Sequence, residues 1–229
     1  GIGGLTAANL FIKNSDFEII VYEKEEILSL DQGYGIQLAT NSISILNKIG
    51  FKNIDNNNIF NPLKLNFYSN NNKICDLDLE RFNKDSVKYT TLQRSTLIEF
   101  LKDKLFTNNF RFGKEVRKVS KIKDKLLINF SDNTNDLVDF IIVSDGVFSN
   151  TKSIIENITI KPRYSGSVAI RTVIKLSEEF NYDNKNISLI MFPNAHVVIY
   201  PINKRNDFNL VCIAREKLSQ NYDIYSIIK

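Results

Sequence analysis

The chain has 229 residues, 43% of them hydrophobic and 24% charged, and carries a net charge of +4. That is enough apolar material for the core of one large domain or two small ones. Bases dispersed among acids exclude a nucleic-acid or membrane-surface footprint, and the lack of any run of ~18 apolar residues excludes a spanning helix.

In chain order, Gly3 to about Asn14 reads as a helix with Leu5, Ala8 and Leu10 facing inward. Phe17–Glu23 (FEIIVYE) is a nearly continuous apolar run, the pattern of a strand buried on both faces of a parallel sheet. Residues 41–49 form a second helix, with Asn41 as its cap and Gly50 following its last turn. Residues 63–69 and 73–79 read as strands joined by the Asn70–Asn72 turn, and Val87–Thr91 as a further strand. Ser95–Phe106 is a helix with Leu97, Leu101 and Leu105 on one stripe. Segments 115–122 and 126–131 make a hairpin whose basic face, within Lys114–Lys125, is solvated. A turn at Asp132–Asn135 leads into Leu137–Val143, a second buried apolar strand, and a short helix starts after Ser149. From Gly166 the pattern becomes long strands at 167–175, 187–192, 196–200 and 208–214. The first half is therefore α/β and the last third mostly antiparallel β.

The two cysteines, Cys75 and Cys212, make neither a disulfide framework nor a CxxC pair. They read as buried free thiols in a reducing, cytoplasmic setting, and no signal-peptide pattern is present. The only methionine is Met191, and the chain opens inside a glycine motif. The single histidine, His196, lies in an alternating strand (AHVVIYP), where a strand residue is expected rather than a catalytic base. No ligand cluster for a metal is found.

The chemistry-bearing pattern sits at the start. Gly1, Gly3 and Gly4 open a helix, and Glu23 ends the next apolar strand, nineteen residues after Gly4. A dinucleotide fingerprint places glycines between a strand and a helix with an acid about 20 residues on. If Gly1 is its second glycine and Gly4 its third, the first glycine and its strand lie upstream. Without a Cβ at Gly1 the backbone can approach a pyrophosphate, and the helix N-terminus supplies unpaired N–H groups and partial positive charge. The Glu23 carboxylate can accept hydrogen bonds from both ribose hydroxyls and would repel a 2′-phosphate, which favours FAD or NAD over NADP. Lys24 beside it is counted with the binding set.

Later segments separate these cofactors by resemblance. GIGGLTAANL followed by VYEKEE resembles the opening of the flavoprotein aromatic hydroxylases, the FAD monooxygenases typified by p-hydroxybenzoate hydroxylase and salicylate hydroxylase. Gly33–Asn41 (GYGIQLATN) resembles the GxGIQLxxN stretch of the salicylate and hydroxynicotinate hydroxylase branch. Thr91–Leu97 resembles the family's arginine-and-leucine helix start, which implies that Arg94 reaches the flavin's phosphate and ribityl region. Val143–Ser149 resembles the DG motif, which implies that Asp145 and Gly146 serve the flavin ribose and pyrophosphate and pyridine-nucleotide use. Tyr164–Gly166 with Arg171, and Tyr200-Pro201, resemble landmarks of the substrate domain. The chain departs from the family at Lys152, where an arginine is usual, and the family's GD-containing stretch lies beyond Lys229.

The resemblance implies a GR2-type, p-hydroxybenzoate hydroxylase-like fold: a Rossmann-like FAD-binding domain (1–62 and 91–160) and a mostly antiparallel β substrate domain (63–90 and 161–229). It implies an FAD-dependent monooxygenase that uses NAD(P)H and O2 to hydroxylate a small salicylate- or hydroxynicotinate-like aromatic substrate through a flavin hydroperoxide. Alternatives are a quinone-pathway hydroxylase or other flavin oxidoreductase of the same fold, a non-catalytic FAD-binding relative, and an NAD-linked dehydrogenase. The last lacks a recognisable hydride-transfer acid or base. Expressed alone, residues 1–229 are expected to be insoluble or to lose flavin.

Overall fold

A computed structural model describes residues 1–28, 33–69, 72–176 and 183–216. In chain order the first half runs α1 (Ile2–Phe11), β1 (Val21–Tyr22), β2 (Gly35–Leu38), α2 (Thr40–Asn47), β3 (Ile59–Phe60), β4 (Lys64–Ser69), β5 (Asn72–Asp78), β6 (Thr90–Gln93) and α3 (Arg94–Lys102). The second half runs β7 (Phe110–Arg111), β8 (Val116–Ile122), β9 (Lys125–Phe130), β10 (Asn135–Val138), α4 (Thr151–Glu156), β11 (Ser167–Lys175), β12 (Ile187–Met191), β13 (Ala195–Pro201) and β14 (Asp207–Arg215). The architecture is mixed α/β with mostly antiparallel sheets, in keeping with the expected class. Two compact units are present: residues 1–30 with 98–163, and residues 31–97 with 164–229. This division places 31–62 and 91–97 with the β-rich unit.

In the first unit, α1 buries Leu5 and Ala8. Asn9, only 3% exposed, ties α1 to α3 by donating from Nδ2 to the carbonyls of Leu5 and Leu101, each at 2.8 Å. The expected helix 95–106 ends at Lys102, so Leu97 and Leu101 lie on α3 and Leu105 just past its end, all three buried. The hairpin β8–β9 continues into β10, antiparallel throughout, with Lys123 at φ 54° in its turn.

Two expected strands are shorter and less buried than their apolar composition suggests. Of Phe17–Glu23, only Val21–Tyr22 enters a ladder, parallel to β7. The Ile19 carbonyl is taken by the Asn109 side chain at 2.8 Å, and Phe17 packs its ring against Phe11 and Phe140 at 5.5 and 5.7 Å. A side-chain donor and an aromatic cluster thus take the groups a sheet would have used. Of Leu137–Val143, only the first two residues belong to β10; Ile142 and Val143 are exposed, at 49% and 40%. The ladder stops at Val138, and residues 139–143 form no strand among the described residues.

In the second unit, a six-stranded sheet has the order β11-β14-β13-β12-β4-β5. All pairings are antiparallel except β12 with β4, which draws the early hairpin β4–β5 into the late strands. Its core gathers Leu79, Ile187, Tyr200 and Ile202. A smaller sheet, β2-β6-β3, lies in the same unit, and the Thr91 hydroxyl donates to the Pro201 carbonyl.

Three smaller expectations are corrected. Asn41 is not the cap of α2: the helix starts one residue earlier with extended Ala39 as N-cap, and Asn41 Oδ1 instead accepts from Ser42 N at 2.8 Å. Cys75 is exposed on the edge strand β5, and Cys212 is half-buried, so neither is a core thiol. The Asn70–Asn72 turn falls mostly outside the described residues. No described helix is long and apolar enough to cross a membrane.

Candidate functional site

The first turn of α1 leaves its leading amides without intrahelical acceptors. Gly1 caps it with no side-chain hydrogen bond, and a Cβ at Gly1 would have nothing within 4 Å, so the backbone there is open to approach. Glu23 is held by the parallel ladder: its N–H donates to the Arg111 carbonyl and its own carbonyl accepts from Lys114 N, both at 2.9 Å. That registration aims the carboxylate at the helix entrance, where Glu23 Oε2 stands 3.8 Å from the nitrogen of Gly1.

The neighbouring Tyr22 anchors this strand end. Its hydroxyl donates to Asp136 Oδ2 at 2.8 Å, and its ring lies 4.8 Å from that of Phe130. Burial, then the Asp136 hydrogen bond, push the phenol well above its ordinary range.

The segment after Val143 comes to the same helix entrance. A Cβ on Gly3 or Gly4 would meet the Ser144 side chain at 3.8 and 3.5 Å, ordinary contact distances. Close packing is real at Gly4, but it does not demand glycine. Gly146 does, at φ +86° with open space around it. A cavity of about 370 Å³ opens here, lined by Ser144, Asp145, Gly146, Ser149 and Lys152 among others. Burial works against the Asp145 carboxylate. The hydroxyls of Ser149 and Thr151 and nearby backbone N–H groups outweigh it and hold the carboxyl below the usual range. Lys152 brings a point charge to this cavity where an arginine would bring a donor fork.

The first unit thus brings together Gly1, Gly3, Gly4, Glu23, Asp145 and Gly146. Lys24 is exposed, its ammonium 3.4 Å from Glu25. Arg94 belongs to the second unit, where it opens α3 and its N–H donates to the Tyr34 carbonyl at 2.8 Å. Sequence reasoning missed Ser144, whose only signal was its place before Asp145.

The second unit holds another polar cluster. Arg171 pairs with Val211, which pairs with Val198, so Arg171, His196 and Tyr200 share one face of the large sheet. Tyr200 is 3% exposed. Burial pushes its phenol up to about 12, and this is eased by the Arg171 charge and a side-chain hydrogen bond with Gln37. Tyr89, raised by burial, donates its hydroxyl to Gln37 Oε1 at 2.7 Å. Tyr89 carries no local sequence signal, and Gln37 stood in the GIQL stretch without a role.

No family profile matches the chain. A 3-amino-4-hydroxybenzoate 2-monooxygenase of Streptomyces platensis is 24% identical over 210 residues, 88% of this chain and 51% of that protein. A 6-hydroxynicotinate 3-monooxygenase of Pseudomonas fluorescens is 26% identical over 182 residues, 78% of this chain and 46% of that protein. The chain therefore spans about half the length of the curated relatives it matches. Among solved structures, Klebsiella pneumoniae HpxO complexed with FAD and uric acid superposes with a TM-score of 0.83 at 20% identity, over 97% of this chain and 56% of that one. The fold is that of the FAD-binding hydroxylases, and the resemblance to aromatic monooxygenases drawn from the motifs is borne out.

Proposed function

We propose that the chain is the flavin-holding part of an FAD-dependent monooxygenase that uses NAD(P)H and O2 on a small aromatic substrate, in the cytoplasm. The observation that carries this reading is the meeting of the Glu23 carboxylate and the open first turn of α1, 3.8 Å apart, on a chain with the hydroxylase fold.

These residues fit the ADP half of FAD. The amides of Gly3 and Gly4 would face the pyrophosphate, with the helix dipole adding favourable charge. The Glu23 carboxylate would accept from the adenosine ribose hydroxyls. Asp145, kept ionised by its hydroxyl neighbours, would accept from further hydroxyls of the cofactor, and Gly146 lets the backbone turn beneath it. Arg94 opens α3 in the second unit, and its guanidinium fork suits a phosphate. Bound FAD would supply electron transfer from NAD(P)H and oxygen activation. The protein's own share lies in holding the cofactor and in presenting Arg171, Tyr200 and the surrounding apolar sheet face to an aromatic acid.

The test is flavin retention and turnover in the whole protein. Purification should yield bound FAD, and NAD(P)H oxidation should be stimulated by 6-hydroxynicotinate or 3-amino-4-hydroxybenzoate with a hydroxylated product. Glu23→Ala should weaken FAD binding about tenfold or more, the cost of losing charge-assisted hydrogen bonds. Unchanged FAD affinity in Glu23→Ala would sink the assignment of this end of α1 as the nucleotide site.

A further inference from the structure

A second cavity, of about 280 Å³, opens in the β-rich unit at the turn between β13 and β14. Pro201 and Phe208, which line it, are cross-strand partners one step along from Tyr200 and Asn209. Successive residues of a strand alternate sides, so this pair projects from the face opposite to Arg171, His196 and Tyr200. The backbone fixes the walls. Lys204 N donates to the Asn57 carbonyl at 3.3 Å, and Leu63 N donates to the Lys185 carbonyl at 3.1 Å. Asn203, 3% exposed in the lining, closes the turn: its Oδ1 accepts from Arg205 N at 2.8 Å and its Nδ2 donates to Asp207 Oδ2 at 2.7 Å.

The lining combines two chemistries. Pro201 and Phe208 are buried and Phe60 is half-buried, an apolar floor, while Lys185 and Lys204 are exposed at the rim. Neither lysine has an ion-pair partner among the described residues, and no acid lines the cavity. The acids nearest in sequence, Asp183 and Asp207, are engaged by the amides of Asn186 and Asn203, each at 2.7 Å. We propose that this cavity is a second ligand site, for a single-ring organic anion such as an aromatic carboxylate. The ring would lie on the Phe60 and Pro201 surface, and the carboxylate would meet the two ammonium groups at the rim. Ligand cavities run to roughly 300–1,000 Å³, so this one has room for one ring and none for a dinucleotide. A bare inorganic anion would leave the apolar floor unused, and a neutral ring would leave the lysines unpaired. Ammonium groups are point charges on flexible stems, which suits a carboxylate held by charge at the mouth of a cavity.

This site goes beyond the hydroxylase reading and does not depend on it. Equilibrium dialysis of labelled benzoate against the whole protein tests it. The double variant Lys185→Gln/Lys204→Gln should lose one equivalent of bound benzoate, or bind it about tenfold more weakly or worse, the effect of removing charge-assisted contacts. The charge-keeping pair Lys185→Arg/Lys204→Arg should retain that equivalent. Arg171→Gln, on the other face of the sheet, should leave it in place. Inorganic phosphate should displace it only poorly. Benzoate binding that is absent in the wild type, or untouched by Lys185→Gln/Lys204→Gln, would overturn the proposal, and so would phosphate competing as well as benzoate. If the wild type binds a single equivalent that the lysine pair controls and Arg171 does not, this site stands and the hydroxylase reading loses its substrate.

Discussion

The two compact units treat their apolar strands differently. In the β-rich unit, nine-residue strands β11 and β14 pair along their full length, and Ile187, Phe208 and Ile202 are at most 1% exposed. In the nucleotide-side unit, the equally apolar runs Phe17–Glu23 and Leu137–Val143 contribute two ladder residues in one case and two β10 residues in the other, and Ile142 stays half exposed. Composition makes a segment willing to be a strand; only neighbours on both edges bury it. Where Asn109 or an aromatic cluster supplies the partner, the ladder ends early.

The sharpest way to break this contrast is at two glycines. Gly35→Ala should destabilise the β-rich unit by about 3 kcal/mol, because its Cβ meets Asn209 and Ile202 at 2.4 and 2.8 Å. Gly4→Ala, with an ordinary 3.5 Å contact and a helical backbone, should be neutral or gain up to about 1 kcal/mol. Denaturant unfolding of both variants checks the pair, and a tolerated Gly35→Ala would show that β2 and β14 are loosely joined.

Next in size is Asn9→Ala, which strands the Leu101 carbonyl and should cost about 1–3 kcal/mol in the same assay. Tyr22→Phe, which removes one hydrogen bond beside Glu23, should cost about 1 kcal/mol. An undiminished stability in Tyr22→Phe would mean the strand end is held by the ladder alone.

The smallest effect is a pH dependence. Asp132 is held down from 3.8 to about 2 by the Lys114 ammonium and then by Thr134. A carboxyl lowered by folding stabilises above its unfolded value and loses that contribution as pH falls through the folded value. Asp132→Asn should therefore flatten the stability profile between about pH 4 and pH 2 and leave its shape near neutrality unchanged. An acid limb identical to wild type would show that the exposed pair is fully screened.

Much of the candidate site was legible as spacing. Glycines opening a helix and an acid ending the next strand require only local periodicity, and α1, Glu23 and the long late strands stand where that periodicity puts them; Asp145 came from the motif resemblance alone. The Tyr89–Gln37 hydrogen bond was not legible, since its partners are 52 residues apart and meet only in the folded chain. Asn209 was invisible for the same reason: a polar residue in an apolar strand signals little until Gly35 is found against it.

The sequence alone determined the apolar spacing of Leu97, Leu101 and Leu105 and the glycine-and-acid pattern, because each depends on residues within a few turns or one strand of each other. Tertiary structure decided which apolar runs became buried strands, that β4 joins β12 in parallel, and which carbonyls the buried Asn9 amide ties together. Those outcomes depend on partners far along the chain, where hydrogen-bond donors and acceptors compete for one another and local pattern carries no record of the winner.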